Sequence, residues 1–573
     1  MRAIIAVIIL AFSSSLLIAQ SGIRKHSQSR NEERVKLSVP EDVFFNGVIY
    51  TGEGFAEDKP RVVEAMAIAK GVVVAAGTNA EIRAMAGPRT KLHDLNAAHT
   101  HRYVFPGFND AHTHLGEAGR EKLNVDLRGS QSLAEMLERI HKASDQAAAG
   151  HWLTGGGWDH TLWEKKLLPT RQDLDKVTGD HPAFLSRIDG HIAIANSAAL
   201  KKAGITATTQ MPEGGAIDLD SNGEPTGIVR ESAQGLVDRV IPPATHAERR
   251  RGDELAIEDA LAHGVTSAQD NSDWEDFLVY EEMEKEGKLH LRISEWLMFA
   301  DPLDVLKAHR AHHDAKDPML HTGMLKGFMD GSLGSRTAAM KQPYSDDPKN
   351  TGLPQYTQDR LNQMTVERAN AGFQIGFHAI GDRAVSMALD AFSQSGVAVT
   401  SRNRIEHAQV VDGPDFQRFK KLGVIASMQP NHLMTDVNWA MDRIGPERAK
   451  GAYAWKRFLD EGVPLAFGTD HPVEPITPFR GLFEALTRTS EDGSKSLSVE
   501  NKLSRGQALY AYTQGSAYAE FSEKQKGKLV PGFDADFVVL DRDIYKGSPM
   551  SIMKTQVEQT WVAGQQVYSS PSQ

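Results

Sequence analysis

The chain has 573 residues, enough for one large domain plus a smaller one. Hydrophobic residues at 40% and charged residues at 24% are ordinary for a globular protein. The net charge of −11 argues against a nucleic-acid partner, which would want a basic face, and the run Arg249, Arg250, Arg251 reads as a solvated helix face. With no cysteine, disulfides, thiolate ligands and a lipid-modified cysteine are excluded.

At the amino end, Arg2 precedes the apolar run "AIIAVIILAF" and then a polar stretch. This is the layout of a secretory signal peptide, residues 1–19, with cleavage near Ala19 and a flexible linker over 20–40. The small-residue rule is only half met, because Leu17 sits two residues before Ala19, and an uncleaved membrane anchor is the alternative, although the run is short for a span. The mature protein is expected to be exported, periplasmic or extracellular, with no membrane association once the leader is gone.

Next come "DVFFNGVIYTG" and "EAMAIAKGVVVAAG", which read as two hairpins turning at Asn46-Gly47 and Lys70-Gly71. The segments "ADFVVLDRD" and "VEQTWVAGQQVY" near the other end have the same character. Residues 41–98 and 516–573 are therefore predicted to build one small β domain, a sandwich made from both chain ends. Between them, over 99–515, short apolar strands alternate with amphipathic helices that stop at Gly264, Gly372, Gly423 and Gly462. "YVFPGFND", "VTSAQD", "LRISEWL", "MLKGFMD", "FQIGFHA", "RIEHAQ", "VIASMQ" and "PLAFGTD" count as eight parallel strands, hence an α/β fold of the (β/α)8 TIM-like class. An open doubly wound sheet is the rival, but no glycine-rich phosphate loop supports it. An insertion over about 116–244 is too long for an ordinary connection and is expected to elaborate the barrel mouth.

Ala-His-Thr-His occurs twice, at His99/His101 and at His112/His114. Chance alone supplies about one His-x-His pair in a chain with 22 histidines, so position must decide between the copies. Barrel chemistry sits at the carboxyl ends of strands. His99 and His101 precede the first apolar run, whereas His112 and His114 follow it and point the same way, two residues apart. Other strand ends carry His378, His407 and Asp470. Imidazole and carboxylate ligands suit zinc, and also Mn, Fe, Co or Ni. Lys326, inside the apolar strand "MLKGFMDGS", is costly there unless it pairs with Asp330 or is carboxylated to an anionic ligand able to bridge two ions.

Together "VFPGFNDAHTH", Lys326, "GFHAIGD", "RIEHAQ" and "FGTDHPV" resemble the amidohydrolase superfamily. "GGGWD", "DGHIAIANSAAL", "KGFMDGSLGSRTAAM" and "MQPNH" resemble more closely its amidohydrolase-3, YtcJ-like branch, which includes N-substituted formamide deformylase. The resemblance spans about 41–568. It implies a metal-dependent hydrolase of non-peptide C–N bonds with two zinc ions: His112, His114 and Asp470 on one, His378 and His407 on the other, carboxylated Lys326 between them. Asp470 would accept the proton of the attacking water and pass it to the leaving nitrogen. His471, where an aromatic or small residue is expected, departs from the pattern.

Within the insertion, Trp158, Asp159, Asp189 and His191 are candidate substrate contacts, with turn residues as the plain alternative; Arg336 is a further candidate. The expected partner is a small molecule, with a homodimer as the candidate assembly. Cyclic amide or imide hydrolysis, and ester or phosphotriester hydrolysis at the same metal site, are rival activities. A non-catalytic exported metal-binding protein is the rival class, and Asp470 argues against it.

Overall fold

The computed structural model describes residues 39–97, 101–148, 150–187, 191–212, 215–396 and 399–571. The expected leader, nearly all of the expected linker, His99 and Asp189 lie outside the described residues. Among the described residues no helix is long and apolar enough to cross a membrane. The chain divides into two compact units, one made of the residues up to Leu115 together with those from Ile257 onward, the other of Gly116–Ala256.

The first unit contains a parallel sheet of eight strands in chain order: β1 (Phe108–Thr113), β2 (Val265–Asp270), β3 (Arg292–Met298), β4 (Leu320–Phe328), β5 (Ile375–Ala379), β6 (Arg404–His407), β7 (Ile425–Met428) and β8 (Leu465–Phe467). It closes beyond β8, where Thr113 bridges His471. There the His114 amide donates to the His471 carbonyl and the Asp470 amide to the His112 carbonyl, each at 2.8 Å. This is a TIM-like barrel.

Its strands are apolar outward because helices cover them: Leu325, Ile375, Phe377, Ile405 and Ala426 share one core with Leu361, Met364, Val385 and Leu389 of the flanking helices. Helix Asp415–Leu422 stops at Gly423, whose φ of +65° lets its amide turn back to the carbonyls of Lys420 and Phe419.

Two sheets built from both chain ends form the sandwich. One has Val72–Gly77, Ala65–Ala69, Asp42–Phe45 and Lys91–Asp94; the other has Gln565–Ser569, Val557–Val562, Phe537–Leu540, Tyr103–Pro106, Val48–Tyr50 and Val62–Val63. Phe44, Met66, Ile68, Val104, Phe537, Val539 and Trp561 fill the space between them.

Two sequence expectations need correction. "YVFPGFND" is not one strand. Tyr103–Pro106 pairs with Phe537–Leu540 in the sandwich, and the barrel strand starts at Phe108. The joint is Gly107, where a Cβ would lie 2.1 Å from the Thr266 hydroxyl, so only glycine lets the chain cross there. His101 is thus an exposed residue ahead of a sandwich strand, not the far end of β1.

Asn46-Gly47 is also not a hairpin turn. Asp42–Phe45 pairs with Ala65–Ala69 in one sheet, and Val48–Tyr50 pairs with Tyr103 and Val104 in the other. Phe44 and Phe45 on one side, Ile49 and Tyr50 on the other, are all buried, which a two-stranded hairpin facing water could not achieve. Lys70-Gly71 does turn a hairpin, with φ of +53° and +77°.

The second unit has a six-stranded mixed sheet, in order Ala216–Leu219, Pro225–Arg230, Ile192–Ala195, Ala183–Arg187, Leu153–Trp158 and Val125–Asp126. Helices Leu133–Gln146 and Arg171–Thr178 pack Met136, Ile140 and Leu174 against Leu153, Leu185 and Ile194.

Barrel and sandwich meet at a buried ion pair. Arg292, first residue of β3, donates to both carboxylate oxygens of Asp536 at 2.6 and 3.0 Å and lies 3.2 Å from Asp534. Breaking such a pair from one side strands a buried charge. Arg292→Met should therefore lose about 3–5 kcal/mol of unfolding free energy in urea, and adding Asp536→Asn should recover part of it.

Candidate metal centre

The carboxyl ends of five barrel strands converge on one carboxylate. Asp470 Oδ1 lies 3.2 Å from His114 Nε2 and 3.4 Å from His112 Nε2. Its Oδ2 lies 3.4 Å from His432 Nε2 and 4.0 Å from His407 Nδ1. The His378 ring stands edge-on to that of His407, with centroids 4.5 Å apart. Lys326, fully buried, donates from Nζ to His112 Nε2 at 2.8 Å.

Strand geometry accounts for most of these positions. His112 and His114 leave β1 on one face, and Lys326 and His378 lie on the inward faces of β4 and β5. His407 does not follow the rule. Arg404 and Glu406 occupy the inward positions of β6, so simple alternation would send His407 outward with Ile405. Its backbone instead takes φ of +70°, which turns the ring into the cluster. Asp470 has φ of +60°. Two non-glycine residues in the left-handed region cost about 1–3 kcal/mol each and occur where function holds them.

The ionisation states are those that metal ligation requires. Burial, helped by the Lys326 charge, pushes His112 well below the ordinary imidazole value and His378 down to about 4; burial and His378 do the same to His407. Burial alone would raise the Asp470 carboxyl, but the surrounding imidazoles, His112 foremost, overcome it and hold the group well below the carboxylate range. His432 goes the other way: burial opposes its charge, and Asp470 more than compensates.

Side-chain atoms of His112, His407 and Asp470 lie within 4.8 Å of one another, and the buried His407 Nδ1 and His432 Nε2 make no hydrogen bond. A divalent cation fits this donor set. Behind it, His112 Nδ1 donates to Glu406 at 2.9 Å, which fixes the tautomer and leaves Nε2 as the lone pair facing the cluster. Asp110 accepts the amides of His112 and Thr469 and the Thr469 hydroxyl, so it staples β1 to the end of β8; burial pushes its carboxyl up to about 7.

The other sequence candidates are placed as follows. Lys326 does not pair with Asp330, whose carboxylate accepts the amides of Ala339, Ile380 and Gly381. Trp158 is a core residue, fully buried with its indole donating to the Leu185 carbonyl, so it offers no surface to a substrate. Asp159 caps the turn at Thr161 and pairs with Arg187 at 2.8 Å. His191 is exposed, 3.1 Å from Glu231, and Arg336 pairs with Asp346. His471 lends its backbone to barrel closure and donates from Nδ1 to the Glu474 carbonyl. Sequence reasoning missed His432 and Glu406. His432 sits on the first turn of helix Pro430–Asp436, just beyond β7, so the strand-end rule extended by one turn would have found it.

Residues 100–568 match the Amidohydrolase family. The chain belongs to that family. It is 32% identical to the Bacillus subtilis protein YtcJ, over 92% of this chain and 99% of that one. It is 27% identical to the N-substituted formamide deformylase of Arthrobacter pascens, over 87% and 94%. Among solved structures, an uncharacterized metal-dependent hydrolase from Pyrococcus furiosus aligns with a TM-score of 0.74 at 32% identity, covering 88% of this chain and all of that one. The protein is thus a metal-dependent amidohydrolase, a hydrolase of C–N bonds acting on a small molecule.

In this amidohydrolase, Glu406 positions His112 without touching the cluster's open side. Glu406→Gln keeps the shape but weakens the tautomer lock, so metal affinity should fall about 10–100-fold in a chelator competition titration. His101→Ala, at an exposed position ahead of the sandwich strand Tyr103–Pro106, should leave that affinity unchanged.

Proposed function

We propose that the protein hydrolyses amides or N-substituted formamides at a zinc centre held by His112, His114, His378, His407 and Asp470, with Lys326 carboxylated as the shared anionic ligand. The observation that carries this reading is an ionised, buried Asp470 within 4.0 Å of four imidazoles, of which those of His112 and His407 are held neutral, beside a lysine that makes no carboxylate pair among the described residues. Mn, Fe, Co or Ni suit the same donors. When bound, the metal supplies Lewis acidity, lowering the pKa of a water and polarising the scissile carbonyl.

The chain's own residues do the rest. Asp470 accepts the proton released as water attacks the carbonyl carbon and returns it to the leaving nitrogen as the C–N bond breaks. His432, 3.4 Å from Oδ2, steadies the carboxylate through both transfers. Burial brings Lys326 down to about 8, so free amine is available. Its Nζ lone pair adds to carbon dioxide, one N–H proton leaves to solvent, and a carbamate anion results. The kinship to a named formamide deformylase supports the substrate class.

Purified protein should turn over N-substituted formamides or acylated amines in preference to cyclic amides, imides, esters and phosphotriesters. Asp470→Asn should keep most of its metal and lose turnover by orders of magnitude, while Lys326→Ala should lose both, with bicarbonate and a short carboxylic acid restoring part. Turnover of cyclic substrates or esters alone would replace the formamide reading, and Lys326→Ala with full metal and full rate would remove the carbamate.

The leader layout, Arg2 before an apolar run that breaks at polar residues, supports export, with a mature chain starting near Gln20. Mass spectrometry of native protein should show that start; an intact Met1 in a membrane fraction would favour an anchor.

A further inference from the structure

Away from the catalytic cluster, three acceptor atoms converge at the opposite end of the barrel. Helix Trp274–Lys285, which follows β2, carries Glu281 and Glu284 one turn apart near its end. His313 follows helix Leu303–His312, and Asp317 lies just before β4. His313 Nδ1 is 3.1 Å from Glu281 Oε1. Glu281 also pairs with Lys285 at 2.7 Å.

Nε2 faces Glu284 Oε2, 3.4 Å away, and Asp317 Oδ2, 3.8 Å away. Nε2 is buried and makes no hydrogen bond. Asp317 spends its other oxygen on the amides of Met319 and Leu320, which aims Oδ2 at the same point. One imidazole nitrogen and two carboxylate oxygens lie within 4.8 Å of one another.

Such an arrangement needs a positive charge at its centre. We propose that Glu284, His313 and Asp317 form a structural binding site for a divalent transition-metal ion, zinc foremost, distinct from the catalytic centre. Tetrahedral zinc with bonds of about 2.0–2.2 Å holds its ligand atoms about 3.4 Å apart, close to the 3.4 and 3.8 Å that separate His313 Nε2 from the two carboxylate oxygens. A carboxylate behind the ligating imidazole, Glu281 here, is the usual support for such a ligand. The side chains are 13–28% exposed, which admits the ion from solvent and leaves a fourth position for water. The ion would tie the helix after β2 to the approach to β4, at the face of the barrel where stability rather than catalysis resides.

The test is equilibrium dialysis of chelator-stripped full-length protein against zinc, with thermal melting in zinc and in chelator. Wild type should bind one zinc equivalent more per chain than Glu284→Gln or His313→Ala, and the difference should persist when His112→Ala is added to each, which separates this site from the catalytic one. Glu284→Gln should melt at or above wild type in chelator, because a carboxylate repulsion is relieved, and below it in zinc. Equal zinc content in all three proteins overturns the proposal. So does Glu284→Gln melting below wild type in chelator by as much as in zinc, which would make the triad an imidazolium ion pair.

Discussion

A guanidinium with almost no exposed surface sits inside the barrel, and the metal centre depends on how it is neutralised. Arg404 donates to the carbonyl of Ala111 on β1, to Gln269 on β2, to Ser427 on β7 and to Glu406 on its own strand. The desolvation of that charge is offset by the Glu406 carboxylate beside it at 2.8 Å. Glu406 in turn has its second oxygen free for His112 Nδ1. One buried ion pair therefore joins four strands and decides which nitrogen of the first histidine is left to bind metal.

From that point the cluster is a matter of opposed signs. Three imidazoles are kept neutral by burial, and one carboxylate is kept ionised in spite of it. The neutral imidazoles of His112 and His407 beside that carboxylate offer their lone pairs to a cation. The left-handed backbones of His407 and Asp470 show the same balance, local strain held in place by a closed barrel.

Much of this was legible in the chain because periodicity and strand ends are local signals. Eight apolar strands, each stopped by a glycine or a polar residue, required a parallel barrel, and the register of β1 picked His112 and His114 over the first Ala-His-Thr-His copy. What escaped is what alternation cannot encode. His407 reaches the cluster by breaking the two-residue period, and His432 comes from a helical turn with a different period. Glu406 gives no signal of its own in the chain, since its value lies in Arg404 and His112, partners set by tertiary contact. The crossing at Gly107 was hidden because apolar residues continue on both sides of it. Asn46-Gly47 has the chemistry of a tight turn and is used instead to pass from one sheet to the other. Trp158 followed three glycines and looked functional, but the glycines let the strand approach its neighbours closely and the indole fills the core they enclose.

The sandwich also dictates an order of events. Tyr103–Pro106 lies between Val48–Tyr50 and Phe537–Leu540, so Val104 pairs with Val539, more than four hundred residues later in the chain. Its edge stays unpaired until nearly the whole polypeptide has been made, and loop-closure entropy delays it further. The barrel strands from β1 to β7 can pair with sequential neighbours as they emerge, whereas the sandwich cannot close until the last strands arrive. During synthesis the amino-terminal strands form an open β edge, the kind of surface that recruits chaperones or aggregates. A chain truncated before Phe537 would keep every residue of the catalytic cluster and still be left with that edge exposed.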